Sequence, residues 1–287
     1  MRHSRIWLVI GLLGLPGSGG TADAPARHPP HALTVVSLNL AMREDVDRIV
    51  SELTAVGTTD VADLILLQEV VQRERSPSVA RQLGERLGLD SMYREAFLLD
   101  NRRSVGLAIL SRYRWHDVRV LGLRRFDLVF RNRDRIALVA TVDTPGGRVQ
   151  VYNVHLDSRI NLDQRIEQVT GVAGDVGSFD GPAIIGGDFN TNDNHWLFHT
   201  IPLPFIERQA SGLQQFMEGR GFRSAFSGSR PTHDALGMQL DWVFTRGFDT
   251  LAASIHPVDV SDHHALMVSL VPTTTRREEL HGIIGMP

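Results

Sequence analysis

The chain has 287 residues, of which 42% are hydrophobic and 22% charged, and its formal net charge is -3. This composition is ordinary for a folded chain with a large buried core, and it lacks the basic surplus of a tight nucleic-acid binder. The absence of cysteine excludes disulfide bonds and thiolate chemistry.

Residues 1–24 have the layout of an export signal. Two arginines precede an apolar run from Ile6 to Leu15, and small residues follow as far as Ala24. Because a membrane span needs ~20 residues, we expect cleavage after Ala24, or alternatively after Ala26, and no stable membrane anchor. The sequence therefore predicts a secreted or periplasmic protein. Cleavage after residue 24 changes the net charge to -4, because the segment carries two Arg and one Asp.

The beginning of the remaining chain predicts a strand, a helix and another strand. Runs typical of strands at 33–38 and 64–67 flank apolar residues that recur at helical spacing over 46–56. A further helix is predicted over 79–87 and ends at Gly88.

Strands dominate the rest of the chain. They are predicted at 106–110, 136–142, 148–154, 183–187, 240–245 and 265–270. The second and third of these are joined by Thr144-Pro145-Gly146-Gly147, a favourable hairpin turn, and a helix is predicted from Asp163 to about Val176. Since helices separate some strands and a hairpin joins others, a mixed sheet, or two stacked sheets with helices outside, fits better than a parallel sheet.

Acidic and amide side chains stand where several predicted strands end. Asp188 and Asn190 follow an apolar strand two positions apart, so they can face the same way, and together they suit a hard divalent cation and a phosphate oxygen. Glu69 leaves a buried strand, where a lone carboxylate is costly, and Asn39 ends the first strand. A turn accounts equally well for the first pair, and an arginine ion pair equally well for Glu69. Asn39, taken alone, is more typical of a turn residue.

Histidines and further acids accompany other strand ends. His155 follows one strand, Asp262 and His263 precede another, and Asp241 lies in an otherwise apolar strand. An Asp that orients a His raises its basicity, as a general base requires, but a structural His and a strand edge facing water are the alternatives. We assign structural roles to the remaining histidines of this region: His195, His199, His233, His256 and His264.

In chain order, these residues resemble the full motif set of the endonuclease/exonuclease/phosphatase superfamily. The set comprises Asn39, Glu69, His155, Asp188 with Asn190, Asp241, and Asp262 with His263. The resemblance covers about residues 32–271, leaving a polar tail at 272–287. It implies a four-layer α/β/β/α sandwich, in which two mixed β-sheets are flanked by helices and the strand ends meet in one acidic pocket.

The resemblance also implies roles for these residues. Glu69 is then the principal ligand of a divalent cation, usually Mg²⁺ with Mn²⁺ as the alternative, and Asn39 and Asp262 complete the metal site. His263 accepts the proton of the attacking water while Asp262 orients its ring, and Asp241 lies close to the metal.

The same resemblance places Asp188 and Asn190 around the nucleophile and the phosphate, and it makes His155 a donor to a phosphate oxygen. We therefore expect an exported, monomeric, metal-dependent phosphoesterase that hydrolyses a phosphodiester with activated water. Nucleic acid is the first choice of substrate. A sphingomyelinase-like phospholipid phosphodiesterase is the alternative, and a non-catalytic binding module on the same fold is the alternative of another class.

Two sequence features bear on the substrate. Arg131, Arg133 and Arg135 can line one face of a strand and grip a phosphate backbone, although we expect a solvated face. All basic residues are arginine, so a phosphate clamp cannot use lysine. The apolar segments 196–198 and 201–206 can touch a lipid surface, although we expect them to pack as core beneath a loop.

Overall fold

Two six-stranded sheets, four helices and a two-stranded ribbon form the described part of the chain. The computed structural model describes residues 31–128, 133–228 and 230–273. The predicted export signal, Arg131 and the predicted tail from residue 274 lie outside those residues. The regular elements run from Leu33 to Pro272, and the domain boundaries 32–271 stay a prediction.

The secondary-structure elements alternate irregularly along the chain. The helices are α1 (Val46–Ala55), α2 (Val79–Leu87), α3 (Leu162–Val176) and α4 (Gln209–Glu218). The strands are β1 (Leu33–Asn39), β2 (Leu64–Arg73), β3 (Asp90–Asp100), β4 (Arg103–Ser111), β5 (Trp115–Gly122), β6 (Ile136–Thr144), β7 (Gly147–His155), β8 (Ala183–Asp188), β9 (His195–Leu197), β10 (Ile201–Leu203), β11 (Arg223–Ser224), β12 (Asp241–Arg246), β13 (Phe248–His256) and β14 (Ala265–Pro272).

Both large sheets are mixed. The first has the order β13-β14-β1-β2-β4-β3 and the second β11-β12-β8-β7-β6-β5. The pairs β1 with β2 and β7 with β8 are parallel, and the other pairs in the two sheets are antiparallel. The carboxyl end of β1 therefore lies beside the start of its antiparallel neighbour β14, and the carboxyl end of β8 lies beside the start of β12. The carboxyl ends of β2 and β7 lie next to those of their parallel partners β1 and β8. We call this shared end of the two sheets the polar edge.

Three apolar clusters define the layers. One lies between the sheets and includes Val35, Leu66, Leu138 and Ile184. A second joins Ile49 and Leu53 of α1 and Leu83 of α2 to the outer face of the first sheet. The third joins Val169 and Val172 of α3 and Leu213 of α4 to the outer face of the second sheet. This is the predicted four-layer α/β/β/α sandwich, which is confirmed.

Local sequence signals explain where several elements begin and end. The side chain of Ser78 caps the start of α2 by accepting from the amide of Arg81. Gly88 ends that helix at φ 66°, a left-handed conformation that favours glycine. The predicted hairpin joins Thr144 to Gly147, whose φ of 106° again suits glycine.

The four edge strands of the large sheets, β3, β5, β11 and β13, were not predicted. β11 has only two residues, and the other three consist mainly of exposed and partly buried positions with no long apolar run. The expectation that Arg133 and Arg135 lie on a strand is wrong, because β6 begins at Ile136. Both arginines belong to the segment that leads into β6, close to the polar edge.

The ribbon of β9 and β10 also corrects the sequence interpretation. Segments 196–198 and 201–206 were expected to pack as core, but Phe198 and Phe205 are 80% and 81% exposed. Ile201 and Ile206 are exposed as well. Trp196 is the anchored residue, because its indole Nε1 donates to Asn192 at 3.1 Å. Among the described residues, none of the helices combines the length and apolar character needed to cross a bilayer.

Candidate active site

The polar edge brings together side chains from both sheets. Asp188 ends β8 and lies opposite Asp241, the first residue of β12. Asn39, at the end of β1 in the other sheet, donates from Nδ2 to Asp188 Oδ2 at 3.0 Å. His155 at the end of β7 has its Nε2 3.4 Å from the same oxygen, and His263 Nε2 is 3.9 Å away. Residues separated by more than 200 positions in sequence thus share one buried pocket.

A bulge in β2 turns Glu69 toward this pocket. The pairing of β2 with β4 shifts between Leu67 and Val70, and Glu69 has a φ of 52°. Such a bulge re-aims a side chain and disrupts the local ladder. Asn153 of β7 compensates, because its Nδ2 donates to the carbonyl oxygens of Leu67 and Ala108 at 2.8 Å each. The fully buried Asn153 thereby ties the second sheet to the strand that carries Glu69.

Asp188 is the most heavily hydrogen-bonded carboxylate of the pocket. Besides the amide of Asn39, it accepts from the backbone amide of Asn190 at 2.8 Å and from its side-chain Nδ2 at 3.2 Å. Asn190 has a φ of 53°, a turn that folds its side chain back onto Asp188. Burial raises the pKa of Asp188, the charge of His263 opposes this effect, and the charge of Asp241 adds to it. Asp188 and Asn190 therefore form one unit, as their spacing predicted.

His263 is oriented by Asp241. Its Nδ1 lies 2.8 Å from Asp241 Oδ2, and that oxygen also accepts from Thr232 Oγ1 at 2.7 Å. With Nδ1 committed to the carboxylate, the neutral ring presents the lone pair of Nε2 to the pocket. Burial alone lowers the pKa of His263, but the charges of Asp241 and Asp188 outweigh it and raise the pKa to about 10.

This geometry corrects the expected pairing of His263 with Asp262. Side chains of adjacent residues in extended backbone point in different directions. Asp262 lies 3.5 Å from His233 Nε2 instead, with 56% of its side chain exposed. Asp241, which we expected close to the metal, takes the orienting position, and Asp262 is left on the open side of the pocket.

Glu69 and Asp262 are suited to a divalent cation. Within the described part of the chain, the partly buried Glu69 carboxylate makes no hydrogen bond or ion pair. Burial raises its pKa; the charges of Arg135 and His263 lower it, and that of Asp262 raises it again. The two carboxylates repel one another beside the pocket, and that of Glu69 has no hydrogen-bond donor among the described residues. Carboxylate oxygens are the ligands that Mg²⁺ and Mn²⁺ prefer.

Asn39 is less free to join them. Its Oδ1 already accepts from the backbone amide of Ala41 at 2.9 Å, and its Nδ2 is used by Asp188. One lone pair of the carbonyl oxygen remains. The predicted place of Asn39 near a metal is compatible with this geometry, and its observed contact is with Asp188.

Two arginines add positive charge on one side of the pocket. Arg135 is paired with Asp157, whose Oδ1 lies 2.9 Å from its Nε, and it has a side chain only 11% exposed. Burial holds the pKa of His155 well below its usual value, and the charges of Arg135, His263 and Arg133 add to this effect. His155 is therefore neutral and keeps one N–H to donate. Arg133 also packs over the ring of Phe97 at 4.5 Å.

A fully buried arginine fixes the loops that follow β7 and β8. The guanidinium of Arg165 donates to the carbonyl oxygens of Asp157, Ile160 and Phe189 and to the side chain of Gln209. Burial lowers its pKa to about 9. This network joins the loop after β7 to the carbonyl oxygen of Phe189, the residue between Asp188 and Asn190, so Arg165 stabilises the backbone that carries both side chains.

Sequence reasoning missed two members of the pocket. Thr232 braces Asp241, and His233, to which we assigned a structural role, packs against His263 with ring centroids 4.8 Å apart. Both lie in an irregular loop, where no periodicity marks them. The only available signal was their position close before the acidic strand that begins at Asp241.

Comparison with known proteins agrees with this geometry. The sequence profile described as the Endonuclease/Exonuclease/phosphatase family matches residues 36–263. The chain belongs to this family. The resemblance inferred from the motif set is thus confirmed. Members of the family are hydrolases of phosphoric esters and depend on divalent metal ions. The family thus has the enzyme class and the metal dependence that the resemblance implies.

Individual relatives of the family are distant. A UPF0294 protein of Yersinia enterocolitica is 26% identical over 159 residues, which cover 55% of this chain and 56% of the relative. The chain thus spans about half the length of the curated relatives it matches. An endonuclease/exonuclease/phosphatase structure from Beutenbergia cavernae superposes with a TM-score of 0.68 at 21% identity, covering 84% of this chain and 72% of that one. The human Nocturnin catalytic domain with bound sulfate gives 0.62 at 16% identity, covering 85% and 96%.

Proposed function

We propose that this chain hydrolyses phosphodiesters with a water molecule activated by His263 and a divalent cation held by Glu69 and Asp262, with Asn39 adjacent. The observation that carries the proposal is the Asp241–His263 pair, placed beside Asp188 and near a Glu69 carboxylate that has no partner among the described residues. Neither a binding module nor the fold alone requires such an arrangement.

In this mechanism His263 Nε2 takes a proton from water as the water oxygen bonds to phosphorus, and the bond from phosphorus to the leaving oxygen breaks. Asp241 stabilises the imidazolium that forms. Asp188 and Asn190 hold the water and the phosphate, while the neutral His155 donates to a non-bridging oxygen. A bound divalent cation would neutralise charge that develops on the phosphoryl oxygens, and its positive charge would lower the pKa of His263 so that Nε2 is free to accept the proton.

Nucleic acid is the substrate class that we propose first. The positive charges of Arg133 and Arg135 act on the pocket from one side, where a phosphate backbone can approach. Arg133, whose charge lowers the pKa of both Glu69 and His155, is the residue proposed to contact the backbone. The tetrahedral sulfate held by the Nocturnin domain supports an anion of the same shape as ligand.

A phospholipid is the second candidate, and the exposed ribbon favours it. Phe198, Ile201, Phe205 and Ile206 present apolar surface to solvent. The ribbon is attached through Trp196 to Asn192, two residues beyond Asn190. Exposed apolar residues this close to the pocket can contact a lipid surface.

One assay separates these candidates from each other and from a non-catalytic module. The mature chain is incubated with Mg²⁺ or Mn²⁺ and DNA, RNA, sphingomyelin or phosphoinositide vesicles, with His263→Ala as the control. We expect cleavage of nucleic acid that disappears in the variant. Turnover of sphingomyelin without cleavage of DNA or RNA would establish the second candidate, and no turnover of any substrate would favour the binding module.

We further propose export to the periplasm or the medium. The arginines, apolar run and small residues of segment 1–24 support this proposal. N-terminal sequencing of the recovered protein should find a mature chain that begins near Pro25. An intact Met1 on protein from the cytoplasm would contradict it.

A further inference from the structure

His233 occupies a position between the proposed base and one of the proposed metal ligands. Its ring meets that of His263 edge to face, at 75° between the ring planes. Its Nε2 lies 3.5 Å from Asp262 Oδ2, and its side chain is 13% exposed. Isolated β-bridges pair its backbone with His263 and Met238, so the backbone of His233 is held in place from both sides.

A hydrogen bond defines which ring nitrogen of His233 carries the proton. The backbone amide of Leu236 donates to His233 Nδ1 at 3.3 Å. Nδ1 is therefore the acceptor, and in a neutral imidazole the proton then belongs to Nε2. The N–H so defined is the one next to the Asp262 carboxylate. Within the described residues, His233 is the one basic side chain in ion-pair contact with Asp262.

We propose that His233 is a positioning residue, which donates from Nε2 to Asp262 and holds that carboxylate at the mouth of the pocket for the divalent cation. The inference rests on the proposed function, since it concerns the same metal site. Without His233, a carboxylate with more than half of its side chain exposed would sample several rotamers, and the cation would have to order it on binding. Hydrogen-bond partners of metal ligands typically contribute about 10- to 100-fold in affinity.

A direct bond from His233 to the metal is the competing role. The ligand atoms of His233, Asp262 and His263 lie within 4.8 Å of one another. To bind a metal, however, Nε2 must lose its proton to Nδ1, and the Leu236 amide then loses its acceptor. The Nε2 of His263 is also the proposed base, so a metal on that atom would block the reaction.

The test compares three variants of the full chain, purified without metal. His233→Phe keeps a ring against His263 but removes the donor, whereas His233→Gln keeps a donor near Asp262. His264→Phe is the matched control, because this neighbouring histidine pairs with Asp234 outside the pocket. Mn²⁺ binding is measured by electron paramagnetic resonance without substrate, and kcat is measured across Mn²⁺ concentrations. Circular dichroism verifies that each variant is folded.

We expect His233→Phe to bind Mn²⁺ about 10- to 100-fold more weakly, with kcat approaching the wild-type value at saturating Mn²⁺. His233→Gln should recover most of the affinity, and His264→Phe should match the wild type. If His233→Phe bound Mn²⁺ with wild-type affinity, the inference would be wrong while the proposed function would stand. The same would follow if His233→Gln bound Mn²⁺ no more tightly than His233→Phe. If the wild type binds no Mn²⁺, the proposed function fails and the inference falls with it.

Discussion

The side-chain amide of Asn153 in β7 donates a 2.8 Å hydrogen bond to the carbonyl oxygen of Leu67, which lies in the opposite sheet. The same Nδ2 reaches the carbonyl of Ala108. These are the oxygens left beside the β2 bulge that turns Glu69 into the pocket. A buried contact between sheets thus connects the stability of the fold to the position of the proposed metal ligand.

Asn153→Ala should therefore reduce both stability and metal affinity. Each buried carbonyl left without a donor costs about 1–3 kcal/mol, so the free energy of unfolding in urea should fall by at least that amount. Mn²⁺ affinity should fall in parallel. Asn101→Ala, on the exposed turn between β3 and β4, is the control. If Asn153→Ala lowered the stability but left the Mn²⁺ affinity unchanged, metal binding would not depend on these hydrogen bonds beside the bulge.

Asp241→Asn and Asp262→Asn should have different effects, although both remove one carboxylate from the pocket. The charge of Asp241 is the largest influence that raises the pKa of His263. In Asp241→Asn that pKa should fall, so the metal-free ring loses its proton at a lower pH than in the wild type. Loss of the oriented base should also lower kcat by about 10²–10⁴. Imidazole NMR titration measures the first effect and steady-state kinetics the second.

Asp262→Asn should instead leave Nδ1 of His263 bound to Asp241 and act mainly on metal affinity. If Asp262→Asn lowered the pKa of His263 more than Asp241→Asn did, the orienting role assigned to Asp241 would be incorrect.

Phe198→Ser and Phe205→Ser test whether the ribbon serves a lipid surface. Because both rings are about 80% exposed, the free energy of unfolding should change by less than ~0.5 kcal/mol. If the substrate is a phospholipid, activity on vesicles should fall while hydrolysis of a small soluble diester is unchanged. Phe244→Ala, in the buried core, is the contrasting variant and should cost about 3–5 kcal/mol. Vesicle activity that survives both serine substitutions would show that these two phenylalanines do not serve a lipid surface.

Arg133→Glu tests the nucleic-acid alternative. A phosphate contact contributes to the salt dependence of binding, so losing it should weaken DNA or RNA binding and reduce the slope of log affinity against log salt by about 1. Arg148→Glu, at the far end of β7 with 71% of its side chain exposed, is the matched control. Arg135→Glu is less informative, since it breaks the ion pair with Asp157. Equal effects of the Arg133 and Arg148 variants would show that only net charge matters.

The sequence predicted the elements whose apolar residues form continuous or helical runs, because those patterns follow directly from burial. β1, β8 and α3 are examples. It did not predict β3 or β13, in which half-exposed positions give no clear run. Segments 196–198 and 201–206 were wrongly predicted to be buried, because an apolar run indicates core when only the sequence is known. Phe198 and Phe205 are exposed, since no other part of the described structure covers them.

In the candidate site, too, some residues could be predicted from the sequence and some contacts could not. Strand-end acids and amides such as Glu69 and Asp188 could be found because their place follows from the strands. Partners across the pocket could not, since the contact of His263 with Asp241 instead of Asp262 depends on how β12 and β14 are arranged in space. The same holds for His233, whose role depends on an irregular loop.

Metal-dependent hydrolysis by the wild-type protein and by Glu69→Gln tests whether the carboxylate of Glu69 holds the cation that the reaction needs. A small soluble phosphodiester is used, so that neither nucleic-acid nor lipid contacts contribute, and Mg²⁺ is added back to chelator-treated protein. We expect no hydrolysis in chelator, recovery of wild-type hydrolysis with Mg²⁺, and a much higher Mg²⁺ requirement in a folded Glu69→Gln variant. Full hydrolysis by Glu69→Gln in the presence of chelator would contradict it.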